Sequence, residues 1–495
     1  MSERSLQPAH RVKTFLRFLP PSVAAAAAAG IITIVALFIP PFIGIADNGD
    51  YYRIAYGNGL YFNAPDYTEQ YFGYFVKDYG IFQYFNENAG ALASSQSLFI
   101  KLSIVLNKMV YSPAVFDIRI QGAVYVLLYV AAIYLLVESL TWSIPKKQGY
   151  AIAVIAVFMF ADTGYTAYFN SFYGESVVLI MAMLVMASGM LLYRNRYNDY
   201  AMLTVFVLST LLLTTSKQQN APVGVLAAGL TVLFVFLRKN GMYRLIASLS
   251  CLSLAAAGVL TYTLIPKEFV NINQYHAMTR GPLLLTDNPE ETLKAFGISK
   301  QYAILAGSNY YETYTTISVD SPVLQEDFFN RYGFVSIMGY YISNPDKAVQ
   351  MLNIAARNAF TIRPMAMGNF ERSEHKGFGE QTMFFSGYSL LKMNLSPKTF
   401  GFIVIWTVTV IGLYLPSFIA ALKKRNRRGM MRLPLLLTMI LVGLSGIAVS
   451  IIGAGDADLA KHEFLFTVAF DLVTFVVIAD LIRKQLWRQE RLGGG

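Results

Sequence analysis

Directly after the first long apolar run stands Ile45-Ala46-Asp47-Asn48-Gly49-Asp50-Tyr51-Tyr52-Arg53, which places two carboxylates and an arginine within seven residues. A carboxylate in such a place can serve as a general base towards a hydroxyl, and the planar fork of an arginine can clamp a phosphate. Asp50 is the first candidate for the base and Asp47 the second, with Arg53 as the clamp. The same residue types would also serve as a cap on a following helix. Near the last apolar run, Gly455-Asp456-Ala457-Asp458-Leu459-Ala460-Lys461-His462-Glu463 sets Lys461 and His462 at a helix start, where the amides also favour an anion. Interfacial snorkelling of Lys461 is the alternative use.

A third group sits where charge is expensive. The apolar runs Tyr150–Ala161 and Ala201–Leu213 hold only about a dozen residues, against the roughly 20 that a full crossing needs. If both helices cross, Asp162 through Glu175 and Ser216-Lys217-Gln218-Gln219-Asn220 lie below the surface and become functional candidates. A purely structural Asp162–Lys217 pair is the other reading. Polar islands at 273–281 and 362–369 add His276, Arg280 and Arg363. No Ser/His/Asp order, Walker loop, dinucleotide fingerprint or HExxH occurs, and no spacing suits a metal. Asp47, Asp50 and Asp162 would hold a hard divalent ion only if they converged, and no cofactor is expected.

The elements that must position these residues are membrane spans. Ten apolar runs stand at about 20–46, 120–141, 147–162, 175–193, 200–215, 222–237, 245–265, 399–422, 433–453 and 463–482. Basic residues Arg11, Lys13 and Arg17 precede the first, and every second loop after it is short and basic. Sorted by side, 21 Lys+Arg and 5 Asp+Glu fall with the short loops and 19 and 25 with the long ones, a net +16 against −6. By the positive-inside rule both termini are cytoplasmic, and segments 47–119 and 266–398 face outward. The expected division is 1–265 with seven spans and the first outer loop, 266–398 as a small extracytoplasmic domain, and 399–495 with three spans and a basic tail. Gly493-Gly494-Gly495 is set aside as a scar. Ser94–Tyr111 has its apolar positions at helical spacing beside Lys101 and Lys108, as in a helix lying on a membrane surface.

Composition agrees with that reading. The 495 residues are 55% hydrophobic and 14% charged, where a soluble domain carries about a quarter charged, so a water-soluble enzyme is excluded. The overall +10 is no nucleic-acid signature, because the basic residues line one side of a membrane. The single cysteine, Cys251, excludes an intramolecular disulfide.

The segments NGDYYRI (48–54), SSQSLFIKL (94–102), FDIR (116–119), YFNSFYGES (168–176) and GDADLAKHEFLF (455–466) give the chain a likeness to a known family. It resembles the GT-C superfamily of polyprenyl-phosphate-dependent glycosyltransferases, and within it the bacterial glycan-biosynthesis hexose transferases of the WsfD type. Lys461-His462 departs from the Arg-His of that family; lysine still neutralises phosphate, without the bidentate fork. The resemblance implies an all-α polytopic fold with about ten spans, in the cell membrane, with an extracytoplasmic active site. It implies transfer of a hexose, with inversion, from a polyprenyl-phosphate-sugar donor to a cell-surface glycan acceptor. Arg53, Lys461, His462, Arg280 and Lys217 would hold the donor phosphate, and Asp162, Glu175, Asn170, Tyr173, His276 and Arg363 the sugar or acceptor. The alternative is a lipid-linked glycan flippase or small-solute transporter, whose charges would sit near the membrane midplane on broken helices.

Overall fold

A computed structural model describes residues 19–63, 71–84, 94–264, 267–312, 316–364 and 367–486; the flanking Arg11, Lys13 and Arg17 and the terminal Gly493-Gly494-Gly495 lie outside these. The chain is an all-α polytopic membrane protein. Among the described residues, eight helices are long and apolar enough to cross a membrane: Pro21–Phe38, Ile118–Thr141, Glu175–Arg194, Gln218–Val235, Gly241–Thr263, Phe400–Lys423, Gly429–Ala454 and Phe464–Ile482. A ninth is a pair, Lys146–Phe160 and Thr163–Asn170, bent by 49°. The expected tenth is the helix Asp199–Thr214, which at 16 residues is too short to count as a simple span. Both shortfalls occur at the two runs of about a dozen apolar residues, where polar side chains end the regular helix.

Local sequence explains the helix starts. Side chains of Asp117, Asn198, Asn240 and Thr399 accept amide hydrogens of their own first turns, and Pro21 and Pro222 stand where a missing amide hydrogen costs nothing. Asp162 does the same at the bend: its Oδ1 accepts from the Gly164 amide at 2.7 Å. The most enclosed span is Glu175–Arg194, which runs through the middle of the bundle, while Gly241–Thr263 and Phe400–Lys423 leave most of their apolar surface outward. A small antiparallel sheet, β1 (Leu60–Tyr61), β2 (Asp78–Ile81) and β3 (Val115–Asp117), pairs in that order with Leu60 opposite Ile81 and Tyr79 opposite Phe116.

Helix Gln96–Val110 turns its apolar side outward. Leu98, Leu102, Val105 and Met109 recur every three or four residues and are exposed, whereas Ser103 and Asn107 are buried together with Ile100 and Ile104. In water this would be inverted; beside lipid it is the expected arrangement for a surface helix.

The two long segments are tied to each other at the ends of the spans. Gly44 and Ala46 donate backbone hydrogen bonds to the carbonyls of Asn369 and Gly368, and Gly368 donates to Phe72. A Cβ at Gly368 would lie 2.0 Å from the Gly73 carbonyl oxygen, so this approach needs glycine. A second apolar core joins Tyr275, Tyr332, Ile337 and Phe360 to Ile447, Ile451, Phe466 and Phe470 of the last two spans. Segment 266–398 therefore packs down onto the bundle.

Candidate functional site

The residues between the first span and the short helix Tyr51–Ala55 form a tight turn. Gly49 has φ +101°, which brings its own amide and that of Tyr51 onto Asp47 Oδ1 at 2.7 and 3.1 Å. Asp47 thus closes the turn that leads into this helix, whose N-cap residue is Asp50. Asp50, its side chain 38% exposed, is left to make an ion pair with Lys461. Arg53, one turn on, approaches Asp50 Oδ1 at 3.5 Å and donates to the hydroxyl of Tyr311.

The second wall comes from 455–463. Asp458 has φ +48°, and its carbonyl accepts the amides of Lys461 and His462. Its carboxylate accepts from Asn48 Nδ2 at 3.1 Å and lies 3.8 Å from Lys461 Nζ. Lys461 is buried over the ring of Tyr173, 4.5 Å from its centroid. Burial pushes its ammonium down to about 7, against the opposing charge of Asp47. The Tyr173 hydroxyl donates to the Ala46 carbonyl at 2.9 Å and accepts from the Asn48 amide at 2.8 Å, so the platform beneath Lys461 is fixed to the Asp50 turn.

The third wall is the pair Glu175–Lys217, 2.5 Å apart, with Glu175 fully buried at the start of its span. Gln219 donates to the His462 carbonyl at 3.0 Å and Gln96 to the Phe172 carbonyl at 2.6 Å. Burial, together with Lys461 and Lys217, drives His462 down to about 3, so its ring is neutral at physiological pH. These walls enclose a recess of about 200 Å³ whose lining includes Asp50, Arg53, Glu175, Lys217, Lys461 and His462. Arg53, Lys217 and Lys461 offer N–H donors to an anionic group such as a phosphate, facing Asp50, Glu175 and, behind Lys461, Asp458, whose carboxyl burial pushes up to about 7.

Of the sequence candidates, Asp50, Arg53, Tyr173, Glu175, Lys217, Lys461 and His462 come together here. The others stand elsewhere. Asp162 is fully buried and spends its oxygens on the amides of Gly164 and Ser389, and the Asp162–Lys217 pair does not form because Lys217 is taken by Glu175. Asn170 donates to the carbonyls of Leu37 and Ile43, tying down the chain as it leaves the first span. Arg363 donates to Asn369 Oδ1 and the Thr382 carbonyl. Arg280 is paired with Asp456 at 2.7 Å and donates to the Gly307 carbonyl. His276 Nε2 accepts the Tyr310 amide at 3.0 Å, and burial lowers its pKa. Arg280 and His276 therefore support the turn that carries Tyr311 against Arg53. Asp47, Asp50 and Asp162 do not converge, and among the described residues no group of three or more His, Cys, Asp or Glu is placed to hold a metal. Gln219 belongs to the polar segment 216–220 that the sequence marks, whereas Asp458, Gln96 and Tyr311 are not among its candidates; of these only Asp458, three residues before Lys461, carries a local signal.

The uncharacterized protein YfdI of Escherichia coli (strain K12) is 22% identical over 385 residues, covering 76% of this chain and 78% of that protein. Among solved structures, the archaeal oligosaccharyltransferase AglB from Archaeoglobus fulgidus, in complex with an inhibitory peptide and a dolichol-phosphate, superposes with a TM-score of 0.36 at 13% identity. That match covers 93% of this chain, which spans about half of AglB, 50% of its length. The family described as the YfdI N-terminal transmembrane domain matches residues 9–494, nearly the whole chain, and the protein belongs to that family.

Proposed function

We propose that the protein is a GT-C-type membrane glycosyltransferase that moves a hexose from a polyprenyl-phosphate donor to an acceptor hydroxyl of a cell-surface glycan on the outer face of the membrane. The observation that carries this reading is the meeting of Asp50, Arg53, Lys217, Lys461 and His462 in one recess at the ends of the spans. A lipid-linked donor keeps its chain in the bilayer while its phosphate meets Lys461, Lys217 and Arg53. Asp50 takes the proton of the acceptor hydroxyl, whose oxygen forms a bond to the anomeric carbon. The bond from that carbon to the phosphate oxygen breaks, and the lipid phosphate leaves with the electron pair. Cations beside the leaving oxygen lower the barrier by stabilising its developing charge, and His462 donates a hydrogen bond. Both carboxylates are paired with a lysine, but Glu175 is fully buried and Asp50 is 38% exposed, which makes Asp50 the acting base of a single displacement with inversion.

The outward orientation rests on the sign of the loops, and the hexose on the likeness to WsfD-type transferases. The test uses purified protein in nanodiscs with short-chain lipid-phosphate hexoses and a panel of glycan acceptors, with product read by mass spectrometry. Asp50→Asn should lose transfer by about 100-fold or more, the usual worth of a general base. Full transfer by that variant would sink the proposal.

A further inference from the structure

The larger cavity lies on the other side of the same short helix. It measures about 410 Å³, within the roughly 300–1,000 Å³ of small-molecule clefts, and the mechanism above makes no use of it. Six tyrosines line it, Tyr51, Tyr52, Tyr56, Tyr71, Tyr74 and Tyr79, together with Phe62 and the carboxylate of Asp47. Among the described lining residues only Ala55 and Val76 are aliphatic.

We propose that this aromatic cavity is the binding site for the acceptor saccharide, an inference that rests on the glycosyltransfer reading. A pyranose has apolar C–H faces and a rim of hydroxyls. Tyrosine offers a ring face to the first and a hydroxyl that donates and accepts to the second, and a carboxylate accepts from several hydroxyls at once. An isoprenoid chain would be met by Leu, Ile and Val. The floor is rigid: Tyr51 and Tyr79 are buried, the Tyr51 hydroxyl donates to the Ile45 carbonyl at 2.7 Å, and Tyr79 packs edge-on against Phe172 at 4.8 Å. Tyr52, half exposed, stands at the rim.

The position is what an acceptor needs. The turn from Asp47 to Ala55 is a party wall: Tyr51, Tyr52 and Ala55 face the aromatic cavity, and Asp50, Arg53 and Ile54 face the charged recess. Arg53 Nε donates to the Tyr52 hydroxyl at 3.4 Å, so the two compartments meet at that pair. A saccharide in the aromatic cavity enters the charged recess past the Tyr52–Arg53 pair, beside the wall on which Asp50 stands.

The experiment reads binding and requires no turnover. Saturation-transfer NMR on the protein in nanodiscs, with and without decyl phosphate, is run against neutral di- to tetrasaccharides of glucose, galactose, mannose and rhamnose. At least one saccharide should give transfer. Its affinity should fall on the order of tenfold in Tyr74→Ala, the loss of one stacking ring, and vanish in Val76→Trp, which fills the cavity. Decyl phosphate affinity should stay as in wild type, and an unchanged thermal midpoint confirms that both variants fold. No transfer from any saccharide, or transfer that persists in Val76→Trp, overturns the assignment. Loss of decyl phosphate binding in Val76→Trp would also overturn it, assigning the cavity to the lipid chain. Saccharide binding lost in Val76→Trp while Asp50→Asn keeps full transfer would leave this site standing and remove the mechanism built on Asp50.

Discussion

Asp50 and Lys461 are partners of one another, and this pairing has a measurable consequence for a phosphate ligand. An arriving anion competes with Asp50 for the ammonium, and success both seats the phosphate and frees the base. Asp50→Asn should therefore bind decyl phosphate tighter than wild type, by about two- to fivefold for a pair whose carboxylate is partly exposed, while turnover falls. Calorimetry in nanodiscs measures the first effect. The pH dependence has a definite sign. With Lys461 at about 7, the ammonium is present below that pH and lost above it, so kcat/KM for the donor should fall as pH rises through 7. Lys461→Arg should remove the part of that limb due to the ammonium, because guanidinium keeps its charge, and leave the part due to Asp458, which burial pushes up to about 7. His462, at about 3, contributes no limb between pH 5 and 8, and His462→Gln should leave the fall in place. Seven sequence candidates share one recess, whereas Asp162, Asn170 and Arg363 tie backbone groups together. Polarity at depth marked both sets, since a ligand-binding group and a buried tether must equally find a partner.

At the scale of elements, the helix Gly387–Leu395 of the second long segment is pinned to the last span by Lys392. Its ammonium is 2.6 Å from Asp471, both groups are buried, and Asp471 also accepts from the Tyr165 hydroxyl at 2.5 Å. Lys392→Met leaves an uncompensated carboxylate and should destabilise the protein by about 3–5 kcal/mol, read by thermal unfolding in detergent. Adding Asp471→Leu should recover part of the loss; a double variant no better than the single one would show that the charge is not the cause. This pair was invisible in sequence, where Lys392 sits in an ordinary amphipathic stretch far from Asp471. The apolar run before 161–163 was legible as too short to cross, but the bend there and the helix start at Asp162 were not.

For the whole molecule, orientation is the testable quantity. In a Cys251→Ser background, Asp287→Cys should react with an impermeant maleimide in intact cells, and Lys424→Cys only after permeabilisation; both positions are exposed. The reverse pattern would invert the topology and place the recess on the cytoplasmic side. By itself the sequence determined the all-α polytopic class and the existence and limits of nearly every span. A bilayer demands apolar runs of a given length, and those runs are contiguous in the chain. It also determined which short motifs hold the charge. Only the tertiary structure decided which charges meet. Asp50 and Lys461 are separated by 411 positions. The same packing set Asp47 to close the turn and Asp50 to face Lys461, a distinction that turns on one positive φ at Gly49. It also gathered six tyrosines into a cavity behind the helix that presents Asp50. Aromatic residues scattered between Tyr51 and Tyr79 have no period to betray them, because a pocket is defined by which faces are turned inward, and that follows from packing.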